Sequence, residues 1–140
     1  MSLQAEEWTL DKIRQHILEN LPISAHLGLH IDLVTQERCE LTISESPGAL
    51  RPGGSVAGPV IFGAADVGSY ALILATRGDP AAVTVDQTTH FHRPAMSLPL
   101  LAHTLPVRIG RRLATTETRL FEEQAPSRVL ASAISTWAFP

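Results

Sequence analysis

SVAGPVIFGAADVGSYALILAT, residues 55–76, is a long apolar run in which Asp66 is the only ionisable carboxylate or base. Pro59 stands where a first helical turn tolerates it, and Val60, Ile61, Ala64, Val67, Ala71 and Leu74 follow at helical spacings, so a helix is predicted from about Gly58. A helix that is apolar all round has to be wrapped by other structure. Asp66 is therefore expected away from bulk water, at a desolvation cost that asks for an explanation. The run is long enough to raise the question of a membrane span. Asp66, Pro59 and the interspersed glycines and serine, together with the amphipathic segments that follow, favour a core helix and no membrane.

Outward from this helix the chain reads as two kinds of segment. On the N-terminal side, Thr9 or Asp11 is placed to cap a first helix whose stripe is Leu10, Ile13, Ile17 and Leu18, ending at Asn20-Leu21-Pro22. Leu29, Ile31 and Leu33, then Cys39, Leu41 and Ile43, alternate with polar neighbours and predict a hairpin of two half-buried strands. Residues 46–54 are dense in glycine and proline and form a loop. On the C-terminal side, Arg77-Gly78-Asp79-Pro80 stops the central helix. Four strand-like segments follow, 83–92, 98–107, 113–121 and 129–137, rich in β-branched residues and separated by turn formers. The order argues for a single α+β domain over residues 1–140, with an antiparallel sheet of about six strands around one long helix; residues 1–20 supply the N-terminal helix, and Met1-Ser2-Leu3 reads as a vector-derived scar.

Composition narrows the function classes. The chain has 140 residues, 44% of them hydrophobic, and a formal charge of -3 with no cationic run able to track a phosphate backbone, which argues against nucleic-acid binding. The lone Cys39 cannot form an internal disulfide, and the N-terminus lacks the basic and apolar regions of a secretory signal, so the cytoplasm is the expected compartment.

The element order resembles the hotdog fold, and residues from about Leu21 to Phe139 resemble the PaaI-like acyl-CoA thioesterases. That family carries His-Gly-Gly at the start of its central helix, an acid nine positions after the histidine, and a later V-S/T-V-x-x-x-x-x-F/Y-x-x-P-A strand. Here the helix starts Ala57-Gly58-Pro59, the acid is Asp66, and the strand runs from Val83-Thr84-Val85 to Phe91 and Arg93-Pro94-Ala95. The acid and the strand match, while Ala57 and Pro59 replace the histidine and second glycine, and Arg51 stands six positions before the histidine slot, where relatives often place Asn or Gln. The resemblance implies hydrolysis of a thioester to free acid and coenzyme A, with no cofactor beyond the coenzyme A thioester itself. Asp66 would act as general base or nucleophile, the Gly58 N–H as oxyanion donor and Thr84 as holder of the attacking water. The alternative is a non-catalytic acyl-CoA or fatty-acyl binding dimer; a hotdog dehydratase is a third reading, for which the histidine is missing.

Ser69 and Tyr70, one turn after Asp66, are placed to line an acyl pocket or bond the acid, with Tyr70 as plain core an equal reading. Arg93, Arg111 and Arg112 lie at strand ends, where relatives gather charge for the coenzyme A phosphates; a solvated turn is the bland alternative. Asp86, Thr88, His90 and His92 share one strand face, but without a third strong ligand they read as polar surface or subunit contact, and no metal is expected. His16, His26, His30 and His103 read as surface or capping residues. An open six-stranded sheet leaves an edge, so a homodimer, or a homotetramer of two dimers, is expected.

Overall fold

The computed structural model describes residues 7–140; the scar reading of Met1-Ser2-Leu3 falls outside them. The elements are α1 (Leu10–Asn20), α2 (Ile23–His26), β1 (Leu29–Val34), β2 (Cys39–Ile43), α3 (Gly58–Arg77), β3 (Val83–Phe91), β4 (Leu100–Ile109), β5 (Leu113–Glu122) and β6 (Ala131–Ala138). The six strands form one sheet in the order β1-β2-β4-β5-β6-β3, antiparallel throughout. With α3 lying across its concave face, this is the hotdog arrangement expected.

Each boundary has a local cause. The Thr9 side chain accepts from the Lys12 N–H at 3.2 Å and caps α1, whose Ile13 and Ile17 are buried. α3 ends at Gly78, which adopts φ 63°, a left-handed conformation natural to glycine, and returns its N–H to Leu74 O. The short α2 was not foreseen; Leu21-Pro22 ends α1 and opens one further turn, Pro22 supplying a helical φ.

The core forms where α3 meets the sheet, with Val60, Ala64, Ala71, Leu72 and Leu74 packed among Leu41, Ile43, Leu100 and Leu120. Contact is close at Gly68, where an added Cβ would stand 2.8 Å from Thr104 Oγ1. Buried Thr104 is in turn hydrogen-bonded to Thr118 at 2.8 Å. Burial raises the Cys39 thiol to about 12, which makes it an inert core side chain.

One expectation needs correction. α3 is not wrapped all round: Pro59 and Phe62 are exposed, and Gly63 and Asp66 are only partly buried. This open stripe runs beside β3, the edge strand, because among the described residues no seventh strand continues the sheet past it. α3 is the one helix among the described residues long and apolar enough to cross a membrane, yet 67% of that window is buried in this fold.

Candidate active site

β3 follows the open stripe of α3 with its inward side chains. Thr84 Oγ1 donates to Asp66 Oδ1 at 2.8 Å, Gln87 Nε2 donates to Phe62 O at 3.0 Å, and the Phe91 ring comes closest to Gly58. Asp66 thus lies at mid-helix on the solvent-facing flank, oriented by a hydroxyl from the neighbouring strand. Burial raises its pKa above the ordinary 3.8, and the Thr84 hydrogen bond partly offsets this by favouring the carboxylate.

Beside this pair opens a cavity of about 390 Å³. Its walls include Asp66 and Tyr70 from α3, Val83 and Thr84 from β3, Trp137 from β6, and His16, Asn20 and Leu21 from the N-terminal segment. Tyr70 stacks on Trp137 with centroids 5.6 Å apart, and its hydroxyl donates to Pro80 O at 2.8 Å. Burial, with the charge of Asp79, keeps the phenol protonated by raising its pKa. Tyr70, for which pocket lining and plain core are equal expectations, is buried in the core cluster and also borders the cavity, whereas His16, Asn20 and Trp137 are lining residues the sequence does not single out. The signal was present for two of them: His16 and Asn20 each follow a buried residue, Ile13 and Ile17, by three positions, which sets them along the border of the buried stripe.

Ser69 is a correction. It is fully buried and its hydroxyl pairs with Thr116 Oγ1 of β5 at 2.7 Å, on the sheet side of α3. A residue three positions after Asp66 is rotated by some 60° about the helix axis, enough here to turn its side chain to the sheet.

The N-terminal end of α3 forms a second cavity of about 340 Å³, lined among others by Arg51, Ser55, Gly58, Phe91 and Arg93. Ala57, the N-cap, has no side-chain oxygen to offer, and the Gly58 N–H has no hydrogen-bond partner among the described residues. Glycine also suits the place before Pro59 in a helical turn, where a Cβ would press on the proline ring. Arg51 Nη1 reaches Ser55 Oγ at 3.4 Å and forms no ion pair among the described residues. Gly58 and Asp66 are eight residues apart on one helix, about 12 Å at 1.5 Å per residue. A base and an oxyanion donor serving one carbonyl need to stand each within about 3 Å of it. One chain therefore does not bring Gly58 to Asp66, nor Arg51.

Arg111 and Arg112 lie at the opposite end of α3, where Arg77 donates to the Gly110 and Arg111 carbonyls and the Phe139 N–H to Arg112 O. They do not cluster with Arg93 in one chain. The Asp86, Thr88 and His90 face of β3 points away from α3; His90 stacks on His92, whose Nε2 pairs with Ser132 Oγ at 2.8 Å. Among the described residues no group of three His, Cys, Asp or Glu is placed to hold a metal ion.

A family model described as the thioesterase superfamily matches residues 53–127. Among solved structures, a candidate thioesterase of Silicibacter sp. TM1040 is 30% identical, with 99% of this chain and 96% of that one covered and a TM-score of 0.84. A thioesterase of Haemophilus influenzae (19% identity, 96% and 92% covered, TM-score 0.82) and zebrafish thioesterase superfamily member 2 (18%, 96% and 100%, 0.82) share the fold. Comparison with the curated proteins found no match.

Proposed function

The chain belongs to the thioesterase superfamily, and on that premise we propose that it hydrolyses acyl-CoA thioesters to the free acid and coenzyme A at Asp66. The observation that carries this is the Asp66–Thr84 pair on the wall of the 390 Å³ cavity: a carboxylate of raised pKa, fixed by one hydroxyl, with space beside it for an acyl group. The register of Asp66 and the strand from Val83 to Ala95 support the PaaI-like branch of the superfamily.

In the general-base form, a water donates one hydrogen to Asp66, while Thr84 Oγ1, its own hydrogen committed to the carboxylate, accepts the other. The water oxygen bonds to the thioester carbon as its proton passes to Asp66. Negative charge then develops on the former carbonyl oxygen, which a backbone N–H at a helix N-terminus stabilises. Collapse breaks the C–S bond, and the departing thiolate takes the proton from Asp66. In the nucleophilic form Asp66 attacks the carbon itself, the C–S bond breaks to release the coenzyme A thiolate, and water hydrolyses the resulting mixed anhydride to the free acid and the Asp66 carboxylate, with a water proton neutralising the thiolate.

The donor comes from a second copy, because the chain's own Gly58 is about 12 Å away along the helix. Val83 (53% exposed), Val85 (54%) and Phe91 (56%) on the β3 edge, with Phe62 (44%) on the open flank of α3, form an apolar border that a second copy would cover. Antiparallel pairing of β3 with its symmetry mate would set the Gly58 end of one helix near Asp66 of the other, because Phe91 of β3 lies beside Gly58 and Thr84 beside Asp66. A dimer of this kind, alone or doubled into a tetramer, would also bring Arg51 toward Asp66. Arg93, Arg111 and Arg112 are the cations available for the coenzyme A phosphates.

Release of free thiol from a panel of acyl-CoAs tests the proposal, with Asp66→Ala as control. Turnover abolished in the variant is expected, and an unchanged rate sinks it. Tight acyl-CoA binding without turnover by the native chain would instead identify a binding dimer.

A further inference from the structure

The hydrolytic step uses one side of the Asp66 cavity; α1 builds another. Ile13 and Ile17 anchor α1 in the core, and the border of that buried stripe presents His16 and Asn20 to the cavity, with Leu21 just beyond the helix. Their hydrogen bonds have a determined direction. The Asn20 amide nitrogen donates to His16 O at 2.9 Å and to His16 Nδ1 at 3.2 Å, so Nδ1 is the acceptor and the hydrogen sits on Nε2. His16 Nε2 then donates to Tyr70 Oη at 2.9 Å, and the Tyr70 hydroxyl donates onward to Pro80 O at 2.8 Å. Trp8 closes over the outer side of His16, edge to face at 5.1 Å. The His16–Tyr70 bond thereby latches α1 to α3 across the cavity.

We propose that α1 is the selectivity wall of this cavity: the His16–Tyr70 latch sets how far the acyl group extends, and the cavity takes an acyl group ending in hydrocarbon rather than in a carboxylate or keto oxygen. The length argument is geometric. The His16 ring of α1 and the Leu21 side chain just past its end stand on the same wall, and the bond to Tyr70 holds the His16 ring in place there. The polarity argument counts donors. The Thr84, Tyr70, His16 and Asn20 donors are all committed within the protein. Among the described residues the Trp137 indole N–H has no partner, but it is itself buried, in a residue only 3% exposed. A terminal carboxylate would lose its water, find no Lys or Arg among the residues this chain contributes to the wall, and share the cavity with Asp66. A methyl or aryl end needs no hydrogen bond there and packs against the apolar lining, which includes Leu21, Ala82 and Val83.

The inference rests on the acyl-thioester reading and is tested so that the two can fail separately. Hydrolysis of straight-chain acyl-CoAs from butanoyl to palmitoyl is compared with that of the adipoyl monothioester, for the native chain, His16→Ala, His16→Gln and Tyr70→Phe. The native chain is expected to favour hexanoyl over adipoyl. In His16→Ala and Tyr70→Phe the ratio of long-chain to short-chain kcat/KM should rise about tenfold, the scale of one or two methylenes in an apolar pocket. His16→Gln, which keeps a donor for Tyr70, should hold the native ratio. A ratio that stays native in His16→Ala, or adipoyl turned over as well as hexanoyl, overturns the proposal. If no thioester is hydrolysed, binding of free fatty acids of graded length, read by quenching of Trp137 and Trp8 fluorescence, decides the wall by the same shift or its absence.

Discussion

Thr84 on β3 gives its hydroxyl hydrogen to Asp66 on α3 at 2.8 Å, tying the edge strand of the sheet to the open flank of the helix it wraps. The bond favours the carboxylate, whereas burial, the larger influence, favours the neutral acid. A base works when deprotonated, so kcat/KM should rise with pH through a pKa above the ordinary 3.8. Thr84→Val removes the lowering influence and should move that limb to still higher pH, with a plateau roughly tenfold lower from the lost water contact. Thr84→Ser should restore both. A pH–rate profile of the three proteins checks this, and an unmoved limb in Thr84→Val contradicts it.

The same raised pKa makes Asp66 a cost to stability. The folded state holds this proton more tightly than the unfolded chain, so stability falls as pH rises from about 3.8 through the folded pKa and stays lower above it. Asp66→Asn removes the charge and keeps an acceptor for Thr84. The variant should be more stable at neutral pH by about 1 kcal/mol, a gain that fades below the ordinary carboxylate range, while hydrolysis falls roughly 10²- to 10⁴-fold. Denaturant melts at pH 7 and pH 3 measure the first part and thiol release the second. Equal gains at both pH values would remove the link to ionisation.

Much of this architecture was legible because it rests on local signals. The Pro59 entry, the Gly78 stop and the period-2 segments gave α3 and the strands within two or three residues, and the alternation of Cys39, Leu41 and Ile43 matches the buried face of β2. What sequence could not give was pairing across space. Ser69 was read from its nearness to Asp66, and only the approach of β5 shows that its hydroxyl belongs to Thr116. His16 read as surface because nothing local links it to Tyr70, fifty-four positions on. The Gly58–Asp66 partnership is a third case, since helix geometry forbids within one chain what the motif register suggests.

If two copies complete the site, assembly and activity should be lost together. Val85→Lys places a charge on the exposed apolar edge of β3 without touching either cavity's lining. Light scattering should show the mass falling to the 15.1 kDa of one chain. Hydrolysis should fall by at least about 100-fold, as expected when a reacting group loses its partner. A monomeric variant that keeps native turnover would mean that Asp66 needs no second copy.

Packing beneath the site can be tested independently of chemistry. Gly68→Ala would set a methyl 2.8 Å from Thr104 Oγ1, inside a buried pair with Thr118. The helix and sheet would have to separate, so a loss of about 1–3 kcal/mol is expected in denaturant unfolding. A variant as stable as the native chain would show that the α3–β4 contact has slack.

Pro59 sets rate against stability. As the second residue of α3 it lends the helix start a fixed φ but contributes no N–H, leaving Gly58 as the free donor identified at that end. Pro59→Gly adds a second N–H beside it. One oxyanion-hole donor is worth about 10²–10³ in turnover where its geometry is ideal, so even a partly aligned one should raise kcat by roughly tenfold. The same substitution frees the unfolded chain and should lower stability by about 1 kcal/mol. Measured together, a higher kcat with a lower unfolding midpoint would assign the thioester oxygen to the α3 N-terminus. A drop in stability with kcat unchanged would send that oxygen elsewhere in the site.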